Sequence, residues 1–225
     1  MTSDITIACI FDLDGVLVDT AVYHYQAWKK LANSLGFDFT HAQNEQLKGV
    51  NRMSSLDKIL NWGNITKTDN EKQDLAALKN TWYVEMISKM SATEVLPGSV
   101  ELLEELHNSG IKIALGSASK NSGLILERTN LSHFFDAIVD GNSVTTSKPD
   151  PEVFVKGGEM LNTPAAQCIV FEDAAAGVEA AIAAHMAVVG VGLPENLPGA
   201  DLWVKDLSQV TVPGLIELIN KRIKG

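Results

Sequence analysis

The sequence predicts an α/β protein: a Rossmann-like, doubly wound parallel sheet with a helical domain inserted after its first strand. Three observations lead there. Short apolar runs rich in β-branched residues recur along the chain, as expected of strands buried on both faces. Amphipathic helical stretches lie between most of them, the alternation that builds a parallel sheet with helices on both sides. One interval, from about Thr20 to Met90, has helical periodicity and no convincing strand.

The first strand is read from Ile5 to Phe11 and stops at Asp12. Similar runs lie at Ile111 to Leu115, Ala137 to Val139, Cys168 to Phe171 and Ala187 to Val191. Among the connecting helices, Val100 to Asn108 carries Leu102, Leu103 and Leu106 on one face and stops at Gly110. A second starts at Asp150-Pro151, an N-cap followed by proline at the first helical position. A third runs from Ala174 to His185. In the inserted interval, Tyr25, Trp28, Ala32 and Leu35 mark one helix face ended by Gly36; Leu56, Ile59 and Leu60 suggest a shorter helix. Leu75, Leu78, Trp82 and Met86 mark another. The expected division is a core of 1–18 and 95–225 and an inserted domain of 19–94, with hinges at Val18 to Thr20 and Ser91 to Gly98. There are no internal repeats or low-complexity tracts.

Composition narrows the function classes. The 225 residues are 45% hydrophobic and 20% charged, ordinary for a globular protein. With 28 acidic against 18 basic residues the formal net charge is −10. That charge disfavours nucleic acid and anionic membrane surfaces as partners. The most apolar stretch, Val178 to Leu193, is interrupted by Glu179 and His185, so no membrane span is expected. No Lys or Arg precedes Lys29, so no basic start of a signal peptide is expected. Cys9 and Cys168 sit in strand-like runs and read as buried thiols, which suits a reducing cytoplasm.

The chemistry gathers where strands end, the edge at which parallel α/β sheets bind ligands. The first strand runs into Asp12-Leu13-Asp14-Gly15, the second into Gly116-Ser117-Ala118-Ser119, and the fourth into Glu172-Asp173; Lys148 precedes Pro149-Asp150-Pro151. Taken singly these are ordinary: a solvated turn, loop serines, an acidic pair at a helix start, a surface lysine. Together, in order and each at a strand end, they are the parts of phosphoryl transfer. Four carboxylates call for a hard dication, and Mg²⁺ takes one or two carboxylates with water and phosphate. The Ser117 hydroxyl and the Lys148 charge suit phosphoryl oxygens.

The stretch Phe11-Asp12-Leu13-Asp14-Gly15-Val16-Leu17-Val18-Asp19-Thr20 resembles the first motif of the haloacid dehalogenase-like superfamily. Ser117, Lys148-Pro149 and Glu172-Asp173 fall where its other three motifs belong, and the insertion resembles its mobile helical cap. Tyr23-His24-Tyr25-Gln26-Ala27-Trp28, Asn44-Glu45-Gln46-Leu47-Lys48-Gly49-Val50-Asn51-Arg52, Ser117-Ala118-Ser119-Lys120-Asn121 and Leu126-Glu127-Arg128 resemble the β-phosphoglucomutase family within it.

That resemblance implies interconversion of β-glucose 1-phosphate and glucose 6-phosphate through an aspartyl phosphate and a β-glucose 1,6-bisphosphate. Asp12 would be the nucleophile and Asp14 the general acid and base. Asp12, Asp14, Glu172 and Asp173 would form the Mg²⁺ site, Asp14 through its backbone carbonyl. Ser117 and Lys148 would hold the transferring phosphate, and Arg52 the other one, since a guanidinium forks onto phosphate oxygens. Ser119, Lys120 and Asn121, with Ala118, would assist from the core, and Lys48, Gly49 and Val50 would line the sugar. His24 is expected to act in cap closure, positioning Asp14 and Lys48. Thr20 is read either as a helix N-cap or as a site residue, and Trp28 as cap packing or a sugar contact. His41, His107, His133 and His185 lack metal-ligand spacing. The expected partner is a small sugar phosphate, and the expected state a monomer. The rival readings are a Mg²⁺-dependent sugar-phosphate phosphatase, which would share every core residue, and a receiver-like signalling domain.

Overall fold

A computed structural model describes residues 7–224. Six parallel strands form one sheet: β1 (Ala8–Phe11), β2 (Lys112–Gly116), β3 (Ala137–Val139), β4 (Cys168–Glu172), β5 (Ala187–Val191) and β6 (Leu202–Val204), in the order β3-β2-β1-β4-β5-β6. Helices, in chain order, are α1 (Ala21–Ser34), α2 (His41–Glu45), α3 (Arg52–Trp62), α4 (Asp69–Ile87), α5 (Ser99–Asn108), α6 (Ser122–Arg128), α7 (Glu152–Met160), α8 (Ala175–Ala183) and α9 (Val212–Lys224).

Strand alternation divides the core. Cys9, Phe11, Ile169 and Phe171 face α5, α6 and α9 through Leu103, Leu106, Ile125, Leu126 and Ile219. Ala8, Ile10, Cys168 and Val170 face α7 and α8 through Phe154 and Val178. Both faces are apolar because both are covered, which is why these strands read as unbroken apolar runs. On the first face the Phe11 and Phe171 rings stack with centroids 4.3 Å apart.

Among the described residues β1 begins at Ala8 and not at Ile7; Ile5 and Thr6 of the expected strand lie outside the described residues. The strand β6 was not expected: three residues, two of them exposed, make no apolar run. The helix α9, also unexpected, repeats apolar residues at Val212, Leu215 and Ile219. At α7 the proline stands at the cap position and not at the first helical one; the Asp150 carboxylate accepts from the Glu152 N–H at 2.9 Å.

Helices α1–α4 occupy the interval between β1 and β2 and pack around their own cluster of Trp28, Leu31, Phe39, Leu56 and Ile59. The chain leaves and re-enters the core side by side. Val18 bridges Val95, the Leu96 N–H donates to the Leu17 carbonyl at 2.9 Å, and the Asp19 N–H to the Glu94 carbonyl at 2.8 Å.

Candidate active site

The sheet order reverses at β1, with β2 on one side and β4 on the other. Open α/β sheets bind ligands at such a point. It brings Asp12, Ser117 and Glu172 to neighbouring strand ends. Gly15 completes the turn after β1 with φ +86°, and a Cβ there would collide with the Asp173 carboxylate, so glycine lets Asp173 lean over the turn.

Above this edge, under α1, α3 and α4, lies a cavity of about 520 Å³. Asp12, Asp14, Thr20 and Asp173 line its floor; Ala118, Ser119, Lys120 and Asn121 form its core wall; His24, Trp28, Lys48, Gly49, Val50 and Arg52 form the facing wall. Three expected residues lie beneath the floor instead. Ser117 is buried, and its hydroxyl accepts from the Ser119 N–H at 3.1 Å. Lys148 and Glu172 are buried together: the ammonium donates to Asp12 Oδ1 and Glu172 Oε1 at 2.5 Å each. The other Glu172 oxygen accepts from the Ala174 N–H at 2.9 Å. Glu172 therefore pairs with Lys148 beneath Asp12 and does not line the cavity in this arrangement, and its expected share in a metal site stands as a proposal.

Burial opposes the Lys148 charge, but Asp12 and Glu172 outweigh it and hold the ammonium protonated. Burial, then the Asp12 charge, pushes Asp14 up to about 6, against the opposing pull of the Thr20 hydrogen bond. Thr20 stands at the N-cap of α1 without capping it; its hydroxyl donates to Asp14 Oδ1. Asp173 is likewise raised by burial and by Asp12, with Lys48, 3.4 Å away, opposing.

Among the described residues no three His, Cys, Asp or Glu side chains form a ready metal cluster. The donor set still fits Mg²⁺, which uses few carboxylates. Asp12 and Asp173 face the cavity, Asp14 turns its carboxylate to Thr20, and a dication would relieve the Asp12 charge that, after burial, raises Asp14 and Asp173.

The facing wall is cationic. Arg52 opens α3 and Lys79 lies on α4, and among the described residues neither forms an ion pair. Lys79 was not expected from sequence. Only 2% exposed, it sits over the rings of Trp28 and Tyr83 at 4.4 and 4.5 Å, and its ammonium meets His24 Nδ1 at 3.1 Å. Burial, then the charges of Lys79 and Arg52, keep the His24 imidazole neutral, so Nδ1 accepts from Lys79. The side chain that His24 meets here is thus Lys79, and no hydrogen bond from His24 to Asp14 or Lys48 is present among the described residues. Trp28 both packs the helical cluster and lines the cavity.

The two sides are clasped across the cavity. The Asn51 amide donates to Ser147 Oγ at 2.7 Å, the Asn121 amide to Asn80 Oδ1 at 3.0 Å, and Lys48 pairs with Asp173.

A helical insertion over an Asp-x-Asp turn at the switch point, with a buried lysine on its first aspartate, defines a class of enzyme core. The family model for haloacid dehalogenase-like hydrolases matches residues 9–191, and the chain belongs to that family. A beta-phosphoglucomutase of Bacillus subtilis is 44% identical over 93% of this chain and 94% of its own length. The crystal structure of a beta-phosphoglucomutase from Clostridium difficile superposes with a TM-score of 0.93 at 42% identity, covering 98% of this chain and all of that one. A phosphorylated carbohydrates phosphatase of Thermotoga maritima is 32% identical over 77% of this chain and 79% of its own.

Proposed function

We propose that the chain catalyses the β-phosphoglucomutase reaction, interconverting β-glucose 1-phosphate and glucose 6-phosphate through a bound β-glucose 1,6-bisphosphate. The observation that carries this reading is a cavity with two anion-seeking ends. One is the floor at Asp12, with Lys148 paired to it from beneath; the other is the facing wall with Arg52 and Lys79, which form no ion pair among the described residues. A phosphatase of a monophosphate needs only the first.

Lys148 ties up one oxygen of Asp12, leaving the other to attack phosphorus. As the aspartyl–phosphorus bond forms, the bond from phosphorus to the sugar oxygen breaks, and Asp14 gives that oxygen its proton. In the second half a sugar hydroxyl attacks the aspartyl phosphate, Asp14 takes its proton, and Asp12 is restored. Thr20 holds the Asp14 carboxylate in place for both transfers. Ser117 and Lys148 steady the transferred group from below, and Ser119, Lys120 and Asn121 flank it. Arg52 and Lys79 hold the distal phosphate, with Lys48, Gly49, Val50 and Trp28 around the sugar.

Asp12, Asp14 through its carbonyl, and Asp173, with Glu172 beside them, would hold Mg²⁺, which would supply charge that offsets the phosphoryl oxygens. Residues 19–94 act as the cap on a core of 1–18 and 95–225, and its closure excludes water. The residues given roles here all belong to one chain, which supports reading the enzyme as a monomer. The buried thiols of Cys9 and Cys168 suit the cytoplasm.

The test is an assay of β-glucose 1-phosphate with Mg²⁺ and a trace of the bisphosphate. Formation of glucose 6-phosphate well ahead of inorganic phosphate is expected; equal rates would leave a phosphatase.

A further inference from the structure

The Lys148 ammonium has a third neighbour besides its two carboxylates. Nζ stands over the ring of Phe154, 4.7 Å from its centroid. Phe154 is fully buried in the first turn of α7. It comes this close to the sheet because residue 116 has no side chain. A Cβ at Gly116 would lie 2.9 Å from two carbons of the Phe154 ring and 3.1 Å from Ile10, too near for either to stay where it is. The end of β2, the start of α7 and the Lys148 loop therefore meet beneath one buried charge.

We infer that Phe154 is a positioning residue for Lys148, its ring face anchoring the ammonium, and that Gly116 is the space that keeps the ring there. The inference rests on the phosphoryl-transfer reading of Asp12. An ammonium has three N–H donors, and Asp12 and Glu172 take two. A ring face attracts the remaining charge without a lone pair that would compete with phosphoryl oxygens. The attraction has no sharp direction, so the third N–H swings to a phosphoryl oxygen while the cation stays seated. A third carboxylate would bind that N–H outright, and an aliphatic side chain would leave it unheld.

Ring electrostatics are separable from ring shape. Phenylalanine at 154 is replaced by its mono-, di- and trifluoro analogues, which keep the volume closely while draining the ring face of electron density. Each protein is followed on two reactions: glucose 6-phosphate formation, and phosphate release from a small activated phosphate ester. The expected result is a kcat that falls in even logarithmic steps, to about a tenth of native for the trifluoro ring, with KM and Tm nearly unchanged. Gly116→Ala is expected to lower kcat by displacing the ring, and its effect should not add to that of Phe154→Leu. A trifluoro protein with native kcat, or losses that do not follow fluorine number, would overturn the inference. Absence of glucose 6-phosphate formation in the native protein would defeat the mutase reading alone, since the fluorine series is still scored on phosphate release at Asp12.

Discussion

Asp12 and Asp14 sit two residues apart on one turn and are given different work by their surroundings. Asp12 is pinned by a protonated lysine, whereas Asp14 is raised to about 6 and held by a hydroxyl. Asp12→Ala is expected to abolish turnover and phosphoenzyme; rapid-quench trapping with labelled bisphosphate should recover no label on the protein. Asp14→Asn keeps the shape and the backbone carbonyl but cannot relay a proton, and should lower turnover by ~10²–10⁴-fold, the usual worth of general acid–base catalysis. Near-native turnover of glucose phosphates by the Asn variant would remove Asp14 from that role. Both residues were legible in the sequence because they end a strand, and strand ends are where this architecture binds ligands. What lies around them was less so. That Glu172 turns inward and Thr20 turns from the helix end to Asp14 depends on pairings across 24 and 6 residues of chain. Spacing along the chain does not reveal which way a side chain points.

Lys79 belongs to the scale of the element. On α4 it stands between Leu78 and Asn80 with no motif around it, and only the packing of α1 against α4 supplies Trp28 and His24 as its seat. Periodicity in the sequence therefore gave the helix and not the site on it. Burial, then the Arg52 charge, lowers the Lys79 ammonium to about 7 from its ordinary 10.5, against a smaller pull from Asp14. Between those two values the unfolded chain holds the proton and the folded one does not, so this residue's contribution to stability rises with pH across the window. Lys79→Met should accordingly raise stability at pH 7 by roughly 2 kcal/mol or more, a gain that shrinks towards pH 10.5, while lowering mutase turnover. Urea unfolding at several pH values checks the first part; a gain independent of pH would mean the lysine is not held near neutrality. Arg52, at the start of α3, makes a companion case. Arg52→Ala should harm glucose phosphate turnover more than hydrolysis of a small activated ester, which carries no distant phosphate; equal losses would place Arg52 elsewhere in the reaction.

The whole molecule decides between a sugar hydroxyl and water at the aspartyl phosphate, and it does so with contacts that join the two halves. Asn51 to Ser147, Asn80 to Asn121 and Lys48 to Asp173 each run from the helical insertion to the core. None of them closes a bond at phosphorus; they hold the roof over it. Sequence marked several of these residues by resemblance, but their pairing was not readable, because the partners lie as far as 96 residues apart and meet only when the insertion folds back over the sheet edge. A roof clasped in this way would favour a substrate that spans Asp12 and Arg52 over bulk water. Phosphate release by the native protein is therefore expected to be slower than glucose 6-phosphate formation by at least about a hundredfold, or roughly 2.7 kcal/mol in barrier. Removing two clasps together, with Asn51→Ala and Asn80→Ala, leaves Asp12, Asp14, Ser117 and Lys148 untouched. It should lower mutase turnover and raise phosphate release, so that their ratio falls about tenfold or more, a change of at least ~1.4 kcal/mol in relative barrier. Both products are measured in one reaction on the same enzyme, so an altered active fraction cancels. If the double variant loses both activities in proportion, the clasp serves stability and water is excluded by something else.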